Sequence, residues 1–264
     1  MYMDMKKWLE EMKSPGTKKP MPILSFPCIS LMGITVRQLI SDSEIQAKGM
    51  KLVADTVESS ASVSMMDLSV EAEVFGSEIC VSDTEVPTVI GSLVTDLDAA
   101  RALRIPEVGE GRTGLYVEAI SKVSRMVTDR PVFAGVIGPY SLTGRLMGVT
   151  EAMVNCYTEP DMVREVMDKA AEFIIKYINA YKAAGADGVV MAEPLTGMLS
   201  PDLAAEFSEP WVKRIADAVK SDDFVFIFHN CGNNIAVMID SILRIGADAY
   251  HFGDAIDMRD ILPQ

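Results

Sequence analysis

Histidine is nearly absent from this chain of 264 residues, which has only His229 and His251. Cations are in short supply too: 24 Lys and Arg stand against 38 Asp and Glu, for a formal charge of −14. Such a surface repels phosphate backbones and anionic headgroups, so neither nucleic acid nor a membrane is an expected partner. Apolar runs stop at strand length, well short of the ~20 residues that cross a bilayer. Residues 1–13 intersperse Asp4, Lys6, Lys7, Glu10 and Glu11 among apolar side chains and lack the apolar stretch of a secretory signal. Four cysteines, Cys28, Cys80, Cys156 and Cys231, are too scattered for a disulfide framework. P-loop, EF-hand and H-E-x-x-H patterns are missing, as are low-complexity segments. These absences leave a cytoplasmic enzyme as the expected class.

What is present is an apolar fraction of 49%, enough for a sizeable core. Short apolar runs over 22–27, 62–68, 131–137, Gly188–Ala192, 224–228 and Ala249–Phe252 read as strands. They do not alternate strictly, which suits parallel strands covered on both faces. Between them lie helical patterns. Residues 161–184 place Val163, Val166, Met167, Ala170, Phe173, Ile174, Tyr177 and Ile178 at three- and four-residue spacing. A second helix follows the Ser200 N-cap and Pro201 and runs to about Lys220. Ala184-Gly185-Ala186-Asp187 and Ile245-Gly246-Ala247-Asp248 repeat one turn, a helix ending at a glycine before the next strand. The βαβα order predicts an α/β fold, a (β/α)8 TIM barrel, as a single domain over 1–264. Residues 75–114 read as an excursion from that order. Six strands rather than eight imply a barrel incomplete at its C-terminal end.

The chemistry-bearing residues cluster at predicted strand ends. His229 directly follows strand 224–228, and Cys231 stands two residues on. In extended chain that step puts two side chains on one side, about 6–7 Å apart at Cα. Imidazole and thiolate are zinc donors; the alternative is a buried cysteine beside a hydrogen-bonded histidine. Two ligands do not complete a metal site. His251 is expected near the same mouth. Glu193 ends strand Gly188–Ala192 and suits a zinc ligand, a general base or a cation partner, or else a contact to a helix N-terminus. In the acidic cluster Asp67, Glu71 and Glu73, Asp67 is the functional candidate, while Glu71 and Glu73 read as solvated surface. Gly109-Glu110-Gly111-Arg112-Thr113-Gly114 matches G-x-G-x-x-G, but no strand precedes it, so it reads as a loop before a helix at about Leu115. The 18 methionines mostly fill core gaps.

Gly138-Pro139-Tyr140-Ser141-Leu142, Ala184-Gly185-Ala186-Asp187, Leu199-Ser200-Pro201 and His229-Asn230-Cys231-Gly232-Asn233 follow one another in order. Together they resemble the uroporphyrinogen decarboxylase-like superfamily, most closely its zinc-dependent methylcobamide:coenzyme M methyltransferase branch. The decarboxylases carry an N-terminal Arg-Gln-Ala-Gly-Arg segment, whereas Pro27-Cys28-Ile29-Ser30-Leu31 has no arginine. Asp67-Leu68-Ser69-Val70-Glu71-Ala72-Glu73 also resembles the methyltransferase branch. The resemblance implies zinc on His229 and Cys231, with a third cysteine ligand expected beyond Gln264 and none required of His251. It further implies methyl transfer from a methyl-corrinoid, on a corrinoid protein, to a small thiol such as coenzyme M, with Glu193 and Asp67 as candidate catalytic residues. The alternatives are porphyrinogen decarboxylation, with Arg145 and Arg37 as the nearest cationic groups, a first-step zinc enzyme that demethylates an O- or N-methyl substrate onto a corrinoid protein, and a non-enzymatic docking barrel.

Overall fold

A computed structural model describes residues 3–14, 16, 19–24 and 26–261. Among these the strands are β1 (Ser62–Val63), β2 (Glu78–Cys80), β3 (Thr88–Ile90), β4 (Val132–Ile137), β5 (Gly188–Ala192), β6 (Val225–Asn230) and β7 (Ala249–Phe252). Five form one parallel sheet in the order β1-β4-β5-β6-β7, while β2 and β3 make an antiparallel hairpin within the predicted excursion. The predicted α/β architecture is thus present as a curled partial barrel. No helix among the described residues is long and apolar enough to cross a membrane.

Side chains along the strands alternate between two apolar compartments. Val225 and Ile227 of β6 join Phe133, Val190, Met5 and Trp8 in an inner cluster, while Phe226 and Phe228 pack into the main core with the helices. The helix Met5–Lys13 closes the inner compartment where the strands begin. Asp4 caps it by accepting from the Lys7 amide at 3.0 Å, and Trp8 meets Phe133 edge-on at 5.4 Å between ring centroids. Burying a side chain of this size contributes on the order of 1.5–3 kcal/mol.

The helix predicted over 161–184 forms as Pro160–Ala183, and all eight residues of its predicted apolar stripe are buried. Gly185 (φ +100°) and Gly246 (φ +71°) end their helices in the left-handed region, as the repeated turn requires. The aspartates of that repeat have a further role. Asp187 Oδ2 accepts from the Val132 amide at 2.9 Å, and Asp248 Oδ2 accepts from the Phe226 amide at 2.8 Å. Each aspartate clips the start of its own strand to the strand before it.

Three expectations need correction. Residues 21–24 have no regular structure and Pro27–Met32 is helical, so 22–27 is not a strand; residue 25 lies outside the described residues. Pro22 and Pro27 lack the amides a ladder needs. Strand 62–68 shrinks to β1, because Ser64 Oγ accepts from the Gly135 amide at 2.7 Å where a backbone carbonyl would otherwise stand. The helix after Ser200 is two helices, Pro201–Phe207 and Glu209–Val219, broken before Pro210, which has no amide to continue the first.

Candidate active site

The sheet register brings the predicted polar residues to one end. Ile137 pairs with Ala192, Ala192 with His229, and His229 with His251. These are the C-terminal ends of the strands, where barrel enzymes assemble their sites. His229 continues the inward parity of Val225 and Ile227. His251 continues that of Ala249, which packs on the same inner cluster. His229 is half-buried and Cys231, just past β6, is exposed.

The two rings contact each other, with centroids 4.8 Å apart. His229 Nδ1 donates to the His251 carbonyl at 3.0 Å and lies 2.9 Å from His251 Nδ1. His251 Nε2 donates to the Met21 carbonyl at 3.1 Å. Burial, and then the neighbouring ring, push the His229 pKa below the usual imidazole range. Burial does the same to His251, opposed by its bond to Met21. His229 Nε2 has no hydrogen-bond partner among the described residues. A half-buried neutral imidazole with a bare lone pair, followed at two residues by an exposed thiol, matches two of the donors zinc takes. Among the described residues no cluster of three or more His, Cys, Asp or Glu is arranged to hold a metal. No cysteine among the described residues is joined in a disulfide.

Asn230, which the motif reading passed over, is fully buried and points away from the mouth. Its Nδ2 donates to the Glu193 carbonyl at 2.8 Å and its Oδ1 accepts from the Gly232 amide at 2.8 Å. It therefore ties the β5 end to the loop carrying Cys231. That loop is tightly packed: a Cβ on Gly253 would stand 3.0 Å from the Cys231 Cα.

Glu193 is completely buried on the helix side of the sheet. Its carboxylate accepts from the Tyr140 amide at 3.0 Å, the Ser141 amide at 2.6 Å and the Ser141 hydroxyl. It caps the helix Pro139–Met147, the helix-terminus arrangement among the alternatives foreseen for it. Desolvation pushes its pKa up to about 7 against these stabilising bonds.

Asp67 is also buried, with both oxygens engaged. Oδ1 accepts from the Ser69 amide and hydroxyl, and Oδ2 from the Tyr116 hydroxyl at 2.7 Å and from Arg112. Arg112 also donates to Glu73 at 2.6 Å. The G-x-G-x-x-G stretch is a loop before the helix Thr113–Met126, as expected, and it delivers this arginine. Glu71 is not solvated surface. It is 2% exposed, accepts from the Ile137 amide at 3.0 Å, and is pushed up to about 7 by burial. Its helix, Val70–Phe75, turns it under the sheet end. Arg145 sits half-buried within the field of Glu71 and Asp67, whereas Arg37 is held at the surface by Asp83 and the Val81 carbonyl.

Polar groups gathered at the C-terminal ends of parallel barrel strands define an α/β-barrel of the enzyme type. The chain belongs to the uroporphyrinogen decarboxylase (URO-D) family, whose pattern it matches over residues 26–262. It is 30% identical over 171 residues to a methylcobamide:CoM methyltransferase, MtbA, of Methanosarcina acetivorans, covering 63% of this chain and 50% of that one. To the MtbA of Methanosarcina mazei it is 28% identical over 200 residues, covering 73% and 58%. A uroporphyrinogen decarboxylase of Chlorobium luteolum is 26% identical over 209 residues, covering 75% and 58%. The chain thus spans about half the length of the curated relatives it matches. A methyltransferase structure from Methanosarcina mazei superposes with a TM-score of 0.81 at 24% identity, covering 94% of this chain and 74% of that one; this likeness shows the fold.

Proposed function

We propose that the protein is a corrinoid-dependent methyltransferase that moves a methyl group from a methyl-cobalt corrinoid to a small thiol, with zinc held by His229 and Cys231. The observation that carries this reading is the open His229 Nε2 on the inner side of the strand ends, followed two residues later by the exposed Cys231 thiol. The relatives named methylcobamide:CoM methyltransferase support both donor and acceptor.

Zinc bound at these residues would lower the pKa of a bound thiol and so supply a thiolate near neutral pH. In the transfer the sulfur lone pair forms the new S–C bond as the C–Co bond breaks. Both electrons leave with cobalt, which goes from cobalt(III) to cobalt(I). His229 and Cys231 bind, and Asn230 between them holds the loop in place. Glu193 and Asp67 act as positioning residues: Glu193 fixes the helix Pro139–Met147 against β5, and Asp67 fixes the loop of Arg112. The apolar plug of Met5 and Trp8 closes the far end of the strands. A methyl-corrinoid carried by a partner protein and a thiol such as coenzyme M are the substrates this chemistry needs. Porphyrinogen decarboxylation needs several cations around a tetrapyrrole, and Arg37 is already committed to Asp83.

The test is anaerobic turnover of the intact protein with methylcobalamin and coenzyme M. Wild type should transfer the methyl group, and chelation or Cys231→Ala should abolish transfer. Full activity after thorough chelation, or a Cys231→Ala enzyme at wild-type rate, would overturn the proposal.

A further inference from the structure

We propose that His251 is the positioning residue that locks His229 in the tautomer whose Nε2 lone pair is free. The inference rests on the zinc reading above for its purpose but on separate observations for its geometry. A backbone carbonyl can only accept. His251 Nε2 lies 3.1 Å from the Met21 carbonyl, so it carries the proton and, in the neutral ring, leaves Nδ1 bare. His229 Nδ1 lies 3.0 Å from the His251 carbonyl, so it too must be a donor. The third contact, 2.9 Å between the two Nδ1 atoms, then has the same His229 N–H shared between the His251 carbonyl and the bare His251 Nδ1. All three contacts agree on a single proton arrangement. It runs from the Met21 carbonyl through His251 to His229 and ends on an unprotonated Nε2.

The register strengthens the assignment, since His229 and His251 are direct partners on adjacent parallel strands. Rotation of the His229 ring about its Cβ bond would break two contacts at once. A ligand imidazole whose other nitrogen is held in this way is oriented and made more basic, and losing such a partner typically costs about 10–100-fold in metal affinity. His251 therefore acts on metal through His229 and is not itself a ligand.

The test uses the full chain, 15N-labelled and metal-free, in ring 15N–1H correlation spectra, followed by zinc titration against a chromophoric chelator. With only two histidines, His251→Leu leaves a single ring to read. Wild type should show His229 with Nδ1 protonated and Nε2 bare. His251→Leu keeps the residue-251 carbonyl but loses the ring acceptor. A minor Nε2-protonated tautomer should therefore appear, and zinc binding should weaken by about 10-fold, the low end for such a partner. His251→Gln, whose amide oxygen can accept the same proton, should recover most of both. Protonated Nε2 on wild-type His229, or an unchanged His229 spectrum in His251→Leu, overturns the proposal. If the spectra behave as expected but wild type binds no zinc, the zinc reading fails and the tautomer lock stands. If zinc binds through His229 and Cys231 with equal affinity in His251→Leu, the lock fails and the zinc reading stands.

Discussion

Glu71 and Glu193 are carboxyls stripped of water beneath the strand ends, each pushed up to about 7. An unfolded glutamate titrates near 4.3. Between these values the folded chain holds protons that the unfolded chain has released, so stability falls as pH rises through the window and levels off above it. Each group contributes at most about 1.4 kcal/mol per pH unit. Glu71→Gln keeps an oxygen for the Ile137 amide and has no charge to desolvate. It should flatten part of the decline in urea midpoints measured from about pH 5 to pH 8; a wild type that gains stability over this range would contradict the burial account. At Asp67 the predicted cost is of another kind. Arg112→Ala strands a buried carboxylate and should cost about 3–5 kcal/mol in equilibrium unfolding, with Asp67→Asn restoring part of it; a loss below about 1 kcal/mol would show the pair to be incidental. These roles were only partly legible in the sequence. Asp67 stood out at a predicted strand end, but the donors that bury Glu71 and Glu193 lie 66 and 52–53 residues away, so no local pattern could reveal them.

At the scale of elements, β4, β5 and β6 were readable as buried apolar runs of strand length. The half-buried β7 was readable mainly from the glycine turn before it, and the runs at 22–27 and 62–68 show that an apolar run alone does not make a strand. The repeated Gly-Ala-Asp was readable as a turn. Its second function, clipping one strand to the strand before it, was not, because the acceptor's partner belongs to another element. The loop of Cys231 illustrates how closely the site's elements meet. Gly253→Ala would press a methyl against the Cys231 backbone. The predicted result is weakened zinc binding by the full chain with its thermal midpoint lowered only slightly, checked by metal titration beside a melting curve. Unchanged affinity would mean that this contact does not hold Cys231 in place.

The whole molecule joins a strongly acidic surface to a partial barrel closed below by Met5 and Trp8, with its polar groups gathered at the other end. The two histidines, scarce in sequence, prove to be paired partners on adjacent strands. Their proximity followed from strand order, whereas their proton arrangement needed the Met21 carbonyl, 230 residues from His251. Zinc held jointly by His229 and Cys231 is the arrangement on which the proposed chemistry depends. Zinc-edge X-ray absorption on the intact protein tests this most directly. The predicted result is a shell containing nitrogen at about 2.0–2.1 Å and sulfur at about 2.3 Å, with one sulfur fewer in Cys231→Ala and one nitrogen fewer in His229→Ala. A zinc shell of oxygen alone, or one unchanged in both variants, would contradict it.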